Sequence, residues 1–393
     1  MRVTLKIAVA GAGIGGLAVA TGLAQAGHRV QVFDQFDAPA PVGSGLVIQP
    51  VGLEVLTHLG AGKAALAQGN QVHRMLGREA DSGRRVLDVS YRTGKLARFG
   101  LAIHRAALFD ALLETAIRSG VDICPGRRVT SALDGHVQFD GGSAGPFDMI
   151  IDACGAGSPL SPLKARDLDY GALWATVDWP AGSDLPRDEL RQVYRKADRM
   201  LGVLPIGTVP GQKGLKAAIF WSLPRGGYVD WLAKGLEAWR AEAFGLWPAY
   251  GSFARQITDT AQMTMARYSH GTLVKPYGQG VIHIGDAAHR ASPQLGQGAN
   301  MALLDAWALV RAIKVAQGDA DLAALYYARA RRWHVWGYQT MSWLFTPQYQ
   351  SDSRLLPVIR DRALFPLSQV PPVPRALSRL VCGDLLPPVG SLA

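Results

Sequence analysis

The sequence predicts an α/β fold in which two joined domains are followed by a helical region, and three observations support it. An apolar run at residues 6–10 leads into a glycine-rich turn and an alanine-rich segment, which is typical of a strand, turn and helix. Several strand-like segments follow between residues 170 and 222. Apolar residues then recur at helical spacing from about residue 297 to 317, and again after residue 320. Together they indicate a Rossmann-like domain, an interleaved antiparallel-sheet domain and a helical C-terminal region.

The N-terminal turn has the spacing of a dinucleotide-binding fingerprint. Gly11 permits a tight turn, Gly13 lets a pyrophosphate approach the backbone, and Gly16 lets the following helix pack closely on the strand. A second strand at residues 29–33 ends at Asp34, where a carboxylate can accept hydrogen bonds from a ribose. This βαβ context predicts a dinucleotide site.

A second segment, far along the chain, has the features of a site for a planar ring. A strand-like run at residues 281–284 ends at Gly285 and Asp286, and ligands collect at this end of strands in α/β sheets. After Pro293, the glycines at 296 and 298 allow close approach of the backbone before the helix predicted from about residue 297. The unpaired N–H groups of its first turn can stabilise negative charge on a bound ring.

These motifs resemble those of the single-component flavoprotein aromatic hydroxylase family, which includes para-hydroxybenzoate hydroxylase and the ubiquinone-pathway hydroxylases. The resemblance covers nearly the whole chain and implies bound FAD, with Asp286 on the ribityl chain. A helix-start arginine of the family matches Arg105, within His104-Arg105-Ala106-Ala107-Leu108. The resemblance implies cofactor contacts from Gly11, Gly13, Gly16, Asp34, Arg105, Gly285, Asp286, Gly298 and Asn300. Pro293 and Gly296 are the expected flavin and oxygen-site loop, with no acid or base assigned.

The implied activity is that of a FAD-dependent monooxygenase. NAD(P)H would reduce FAD, and O2 would give a C4a-hydroperoxyflavin that hydroxylates an apolar, aromatic or otherwise lipophilic small molecule. Two alternatives stay open: a two-component or epoxidising flavoenzyme reduced by a separate reductase, and a non-catalytic FAD-binding redox protein.

One family motif is altered. Cys154 stands where the family has an aspartate, and Ser161 where it has an arginine, whereas Gly155 and Ser158 match. A neutral thiol cannot supply the fixed charge of a carboxylate. The choice among NADH, NADPH and a separate reductase is therefore left open by the sequence.

The motif positions predict discontinuous domains. Residues 1–70, 98–165 and 270–320 would form the FAD-binding domain, residues 71–97 and 166–269 the substrate-binding β-sheet domain, and residues 321–393 the helical C-terminal region. Strands are expected at 170–179, 190–196, 200–206 and 215–222, and a helix at 228–244. The aromatic candidates for an apolar substrate pocket in this layer are Trp174, Tyr194, Phe220 and Trp221.

Composition narrows the class of protein. The chain has 393 residues, of which 48% are hydrophobic and 18% charged, and no apolar run has bilayer-spanning length. The net charge of +10 is scattered, without a nucleic-acid-binding motif, so no nucleic acid partner is expected. Three cysteines show no metal or disulfide spacing, which favours a cytoplasmic protein without a metal. The apolar C-terminal region leaves a monomer, a homodimer and a peripheral membrane contact open.

Overall fold

The computed structural model describes residues 3–37, 44–92 and 97–392. Parts of the predicted ranges 1–70, 71–97 and 321–393 therefore lie outside the described residues. The strands are β1 (Lys6–Ala10), β2 (Arg29–Phe33), β3 (Gly45–Ile48), β4 (Asn70–Val72), β5 (Arg74–Glu79), β6 (Arg85–Ser90), β7 (Gly100–His104), β8 (Asp122–Cys124), β9 (Val129–Leu133), β10 (His136–Phe139), β11 (Gly142–Ala144), β12 (Met149–Asp152), β13 (Arg166–Asp178), β14 (Glu189–Arg195), β15 (Arg199–Gly207), β16 (Lys216–Pro224), β17 (Thr264–Thr272), β18 (Tyr277–Gly278), β19 (Val281–His283) and β20 (His289–Arg290). The α-helices are α1 (Ile14–Gln25), α2 (Pro50–Leu59), α3 (Gly62–Gln68), α4 (Arg105–Arg118), α5 (Tyr228–Leu246), α6 (Gly251–Ala254), α7 (Gly298–Val315), α8 (Ala320–Tyr349), α9 (Leu356–Ile359), α10 (Phe365–Ser368) and α11 (Val373–Cys382).

A six-stranded sheet positions the predicted dinucleotide turn. Its order is β18-β19-β12-β1-β2-β8, and all neighbours are parallel except β18 and β19. The apolar strand β1 is central, with Ile7 and Val9 fully buried, because helices pack over a parallel sheet. Parallel pairing brings the carboxyl ends of β1, β2, β12 and β19 to one edge. The predicted ligand segments therefore lie together although more than 250 residues separate them in sequence.

An eight-stranded sheet forms the second layer, in the order β20-β17-β13-β16-β15-β14-β5-β6. Its pairs are antiparallel except β14 with β5. The four strands predicted between residues 170 and 222 are confirmed as β13 to β16, and the helix predicted at 228–244 is confirmed as α5. One face of the sheet packs on α5, and the other faces the small sheet β3-β7-β4. A methyl group added to Gly45 in β3 would lie 2.3 Å from Ile206 in β15, which shows how closely these sheets pack.

The long helix α8 joins the two layers. Asp319 caps its first turn by accepting a hydrogen bond from the Leu322 N–H. Near its start Tyr327 is buried and donates to the carbonyl of His283, and near its end Tyr349 packs on Tyr194 of the eight-stranded sheet. Within the described residues, no helix has both the length and the hydropathy that crossing a bilayer requires.

Candidate active site

The glycine-rich turn is shaped by close contacts at two positions and by open space at a third. Gly11 has φ +99°, and a methyl group there would lie 2.6 Å from the carbonyl oxygen of Ala153. A methyl group on Gly16 would lie 1.9 Å from the carbonyl oxygen of Gly11, whereas one on Gly13 would meet nothing within 4 Å. Gly13 precedes α1, whose first turn has no side-chain cap, and both Gly13 and Ile14 line a cavity. This turn can accommodate a pyrophosphate.

The contrast between Gly13 and Gly16 gives a matched pair of variants. Gly16→Ala is expected to lower the free energy of unfolding by about 1–3 kcal/mol, because the helix must move away from the strand. Gly13→Ala is expected to keep the stability of the apoprotein within about 1 kcal/mol. Its affinity for FAD should nevertheless fall at least about tenfold, because the new methyl group occupies the approach of the pyrophosphate. Urea unfolding and flavin titration measure both, and wild-type FAD affinity in Gly13→Ala would contradict this assignment.

Asp34 closes the far side of the turn. Its Oδ2 accepts a hydrogen bond from the Ala12 N–H at 2.7 Å, and its Oδ1 accepts one from the Phe36 N–H at 3.0 Å. A cavity of about 920 Å³ opens beside this carboxylate and is also lined by Gly11, Gly13 and Arg105. This volume suits a large cofactor. The structure thus places four of the predicted cofactor residues around one cavity.

Asp286 lies in the short turn Gly285–Ala287, three residues after the end of β19, and its side chain is exposed although protein surrounds it on most sides. Burial raises the pKa of Asp286, and the nearby charges of His289, Arg105 and Arg290 only partly oppose that effect. Among the described residues, none donates a hydrogen bond to this carboxylate, and hydroxyl groups of a ligand would satisfy it. Gly285 and Asp286, called the Gly-Asp segment below, therefore lie near Arg105, which also lines the dinucleotide cavity.

A buried ionic network, not predicted from the sequence, supports the Gly-Asp segment. Asp305 of α7 is fully buried and accepts from the Gly285 N–H at 2.9 Å, from His289 Nε2 at 2.6 Å and from Arg331 Nε at 2.7 Å. Burial would raise the pKa of Asp305, but His289 and Arg331 outweigh it, so the pKa is well below the ordinary value. His289 therefore has a structural role. Asp305 and Arg331 lie in helices of ordinary amphipathic pattern. The sequence therefore did not indicate that they form an ion pair.

The loop before α7 is held by Asn300. Its Oδ1 accepts from the Gln49 N–H at 2.7 Å, and its Nδ2 donates to the carbonyls of Gly296 at 3.0 Å and Val47 at 3.2 Å. The fully buried amide is thus used inside the protein, so the prediction of Asn300 as a cofactor contact applies only to its backbone N–H. Gly296 has φ +61°, a left-handed conformation that favours glycine. Gly298 begins α7, whose first turn has no side-chain cap, and the exposed Pro293 begins the short turn before it.

The altered third motif is organised around Asp152 rather than Cys154. Asp152 is fully buried and accepts from the Cys154 N–H at 3.0 Å, from Ser158 Oγ at 2.7 Å and from His283 Nδ1 at 2.8 Å. Burial raises the pKa of the Cys154 thiol, which keeps it neutral. Ser161 donates from its Oγ to the carbonyl of Ala287 at 2.5 Å and so ties the motif to the Gly-Asp segment. Cys154 and Ser161, the two altered positions, thus each form a hydrogen bond within the protein.

Three of the four aromatic candidates lie on the sheet face toward β3-β7-β4. Trp174, Tyr194 and Phe220 share that face, and the Trp174 and Phe220 ring centroids are 4.7 Å apart. Trp221 points the other way and packs on Trp239 of α5, because successive residues in a strand alternate between faces. Its prediction as a substrate contact is therefore corrected to a core position. Tyr194 is buried under Tyr349 of α8.

Tyr268 of β17 was missed from the sequence and lies on the same side as Trp174. Trp174 Nε1 donates to the Tyr268 hydroxyl at 2.8 Å. Two residues further along β17, His270 Nε2 accepts from the Ser292 N–H at 2.8 Å, which places this strand face against the loop containing Pro293. Burial raises the pKa of Tyr268, so its hydroxyl stays protonated. Tyr268 therefore lies on the strand face that is next to the loop containing Pro293.

The donor set fits FAD. The turn before α1 can bind the pyrophosphate, Asp34 the ribose and the unpartnered Asp286 carboxylate the ribityl hydroxyls. The uncapped start of α7 presents N–H groups where the ring would lie. Bound there, FAD would supply hydride acceptance and oxygen activation.

Comparison with known proteins agrees with this geometry. The family described as "FAD binding domain" matches residues 4–140 and 252–341, together more than half of the chain. The 6-hydroxynicotinate 3-monooxygenase of Pseudomonas fluorescens is 28% identical, over 83% of this chain and 88% of that protein. The salicylate hydroxylase of Pseudomonas putida is 29% identical, over 87% of this chain and 85% of that protein.

A solved structure extends the likeness to the whole fold. The structure of Klebsiella pneumoniae HpxO complexed with FAD and uric acid superposes with a TM-score of 0.79 at 22% identity, over 98% of both chains. The predicted fold class is confirmed, as is FAD as the cofactor, with NAD(P)H as the electron donor typical of the family. The chain belongs to the FAD binding domain family and is a FAD-dependent monooxygenase of the aromatic hydroxylase type.

Proposed function

We propose that the chain hydroxylates a small aromatic molecule that carries a hydroxyl or an equivalent polar group on a largely apolar ring. The substrate, NAD(P)H, a proton and O2 would give the hydroxylated product, NAD(P)+ and water. The observation that carries the proposal is that the dinucleotide cavity and the segment of Gly285 and Asp286 lie side by side. Arg105, beside the dinucleotide cavity, acts electrostatically on Asp286, and the Pro293 loop faces an aromatic sheet surface.

Different residues would bind different parts of the cofactor. The N–H groups at the start of α1 would hold the pyrophosphate, and Asp286 would accept hydrogen bonds from the ribityl hydroxyls. The start of α7 would stabilise negative charge on the reduced ring. The network of Asp305 keeps the Gly285 backbone in place for these contacts. The protein's contribution is therefore orientation, charge stabilisation and exclusion of water.

The aromatic surface supports the substrate class. Trp174 and Phe220 offer apolar ring faces, which favour stacking with an aromatic ring. Because the Tyr268 hydroxyl accepts from Trp174, its own proton is available for an oxygen of the substrate. The two curated relatives named above bear the names of enzymes acting on hydroxylated aromatic acids, which agrees with a ring bearing an oxygen.

Substituting Tyr268 tests its contact with the substrate. Tyr268→Phe is expected to leave FAD content unchanged and to raise KM about tenfold, because one hydrogen bond worth roughly 1.4 kcal/mol is lost. More of the consumed NAD(P)H should also appear as hydrogen peroxide, because a loosely held ring reacts less often. Tyr277→Phe, on the β18 strand of the six-stranded sheet, is the matched control. An unchanged KM in Tyr268→Phe would remove this residue from the substrate site.

The activity itself is tested with the purified, FAD-loaded protein. NADH and NADPH are supplied separately with a panel of phenols and hydroxylated heteroaromatics, and isotopically labelled O2 is followed into the product. Incorporation of one labelled oxygen atom is the expected result. Failure of both nucleotides to reduce the flavin anaerobically would favour a separate reductase. Reduction that yields only peroxide with every aromatic tested would favour the non-catalytic alternative.

A further inference from the structure

The exposed face of α8 carries a row of large apolar side chains. Trp333, Trp336 and Trp343 are 61%, 60% and 63% exposed, although tryptophan is usually well buried. Leu325 and Leu344 are 40% and 52% exposed and follow the same helical spacing. Opposite this row, Tyr327, His334 and Tyr338 are buried against the rest of the protein. We call these five exposed residues, with the two arginines described next, the α8 stripe.

The charge on the α8 stripe has one sign. Arg329 and Arg332 are exposed among its apolar residues, and the Arg332 guanidinium lies 4.6 Å from the Trp333 ring centroid. The chain contains no aspartate or glutamate from residue 322 to residue 351. Arg331, which lies between these positions in sequence, points inward to Asp305 and does not contribute to this surface. The stripe is therefore both aromatic and cationic.

We propose that the α8 stripe docks the protein onto the surface of an anionic lipid bilayer. Indole side chains favour the boundary between headgroups and acyl chains, and arginines on the same face are attracted to anionic headgroups. The helix would lie along the bilayer surface rather than across it, in agreement with its mixed hydropathy. The proposal does not depend on the oxygenation chemistry.

Charge argues against a second copy of the chain as the occupant. A two-fold dimer through the stripe would bring two sets of arginines into one interface, with no carboxylate of residues 322–351 to pair with them. An anionic bilayer, by contrast, attracts these arginines and accepts the exposed indoles.

Vesicle binding tests the proposal on the full-length, FAD-loaded protein. The wild type is expected to sediment with phosphatidylcholine vesicles that contain phosphatidylglycerol, more weakly with phosphatidylcholine alone, and less as salt is raised. Arg329→Gln with Arg332→Gln is expected to lower the partition constant about 25-fold, because each arginine contributes roughly fivefold near an anionic surface. Trp333→Ser with Trp336→Ser and Trp343→Ser should abolish the emission blue shift that accompanies binding.

Matched control variants have substitutions of exposed residues on other surfaces of the protein. Leu133→Ser with Val229→Ser and Val274→Ser replaces exposed apolar side chains, and Arg84→Gln with Arg187→Gln removes two exposed charges. Both should bind vesicles as the wild type does, and every variant should keep its flavin content. No binding of the wild type to phosphatidylglycerol vesicles would overturn the proposal, as would equal losses in the controls. A dimer in solution that dissociates on substitution of the three tryptophans would assign the stripe to a second copy instead.

Discussion

Asp286→Ala is expected to lose most of its bound FAD, with the dissociation constant rising by two to four powers of ten. Asp286 is exposed in the turn that follows β19, and none of the described residues donates a hydrogen bond to its carboxylate. Two hydrogen bonds from ribityl hydroxyls to a carboxylate would be worth about 3–6 kcal/mol in all. Flavin titration by fluorescence quenching of the apoprotein measures the change.

The structure also supplies the controls for this substitution. Asp286→Asn keeps an acceptor oxygen but loses the charge, so an intermediate affinity is expected. Asp140→Ala removes an exposed carboxylate at the turn between β10 and β11 and should leave FAD binding unchanged. Wild-type affinity in Asp286→Ala would exclude the ribityl contact. Unfolding of the apoprotein is not expected, because the side chain makes no hydrogen bond that folding requires.

Asp305→Ala is expected to destabilise the apoprotein by about 3–5 kcal/mol, the largest effect on folding among the substitutions considered. The change leaves the buried Arg331 guanidinium without its carboxylate and removes the acceptor for His289 and for the Gly285 N–H. FAD affinity should fall as well, since the Gly285 backbone is no longer held. Urea unfolding of the apoprotein, with flavin titration under folding conditions, separates the two effects.

A second substitution distinguishes loss of the ion pair from simple loss of packing. Arg331→Met in the Asp305→Ala background removes the orphaned charge and should restore part of the lost stability. Because the folded pKa of Asp305 is lowered, its contribution is present above the ordinary carboxyl range and is lost as pH falls through the folded pKa. Stability within about 1 kcal/mol of wild type in Asp305→Ala would show that the network is not a main support of the loop.

The parts of the site that could be predicted are those in which a short stretch of sequence fixes both the backbone conformation and the chemical groups. Gly11, Gly13 and Gly16 were predictable because a tight turn between strand and helix restricts both the residue type and its spacing. Asp34 was predictable because it directly follows an apolar strand, and Asp286 because it lies in the turn just after one. The strands of the second layer were predictable because their apolar runs are bounded by turn residues.

Other parts depended on contacts between distant segments. Asn300 was predicted as a cofactor residue from its place in a motif. In the structure its side-chain amide forms hydrogen bonds with the backbone of Gln49 and Gly296. Trp221 and Phe220 are equally aromatic neighbours, and only the pairing of β16 shows which of them faces the small sheet. Tyr268 carried no local signal, because its hydrogen bond with Trp174 forms only when the two strands come together in the sheet.

The sequence by itself predicted the fold class and, through its resemblance to a known family, the cofactor. It also indicated the two segments proposed to hold FAD, because glycine spacing and carboxylates that follow strands are local properties of the chain. Only the tertiary structure decided how these segments are supported. Asp305 joins Gly285, His289 and Arg331 across three elements, and Asp152 takes the central place in the altered motif. The physical reason is that burial creates the need for a partner, and burial exists only once helices and sheets have packed.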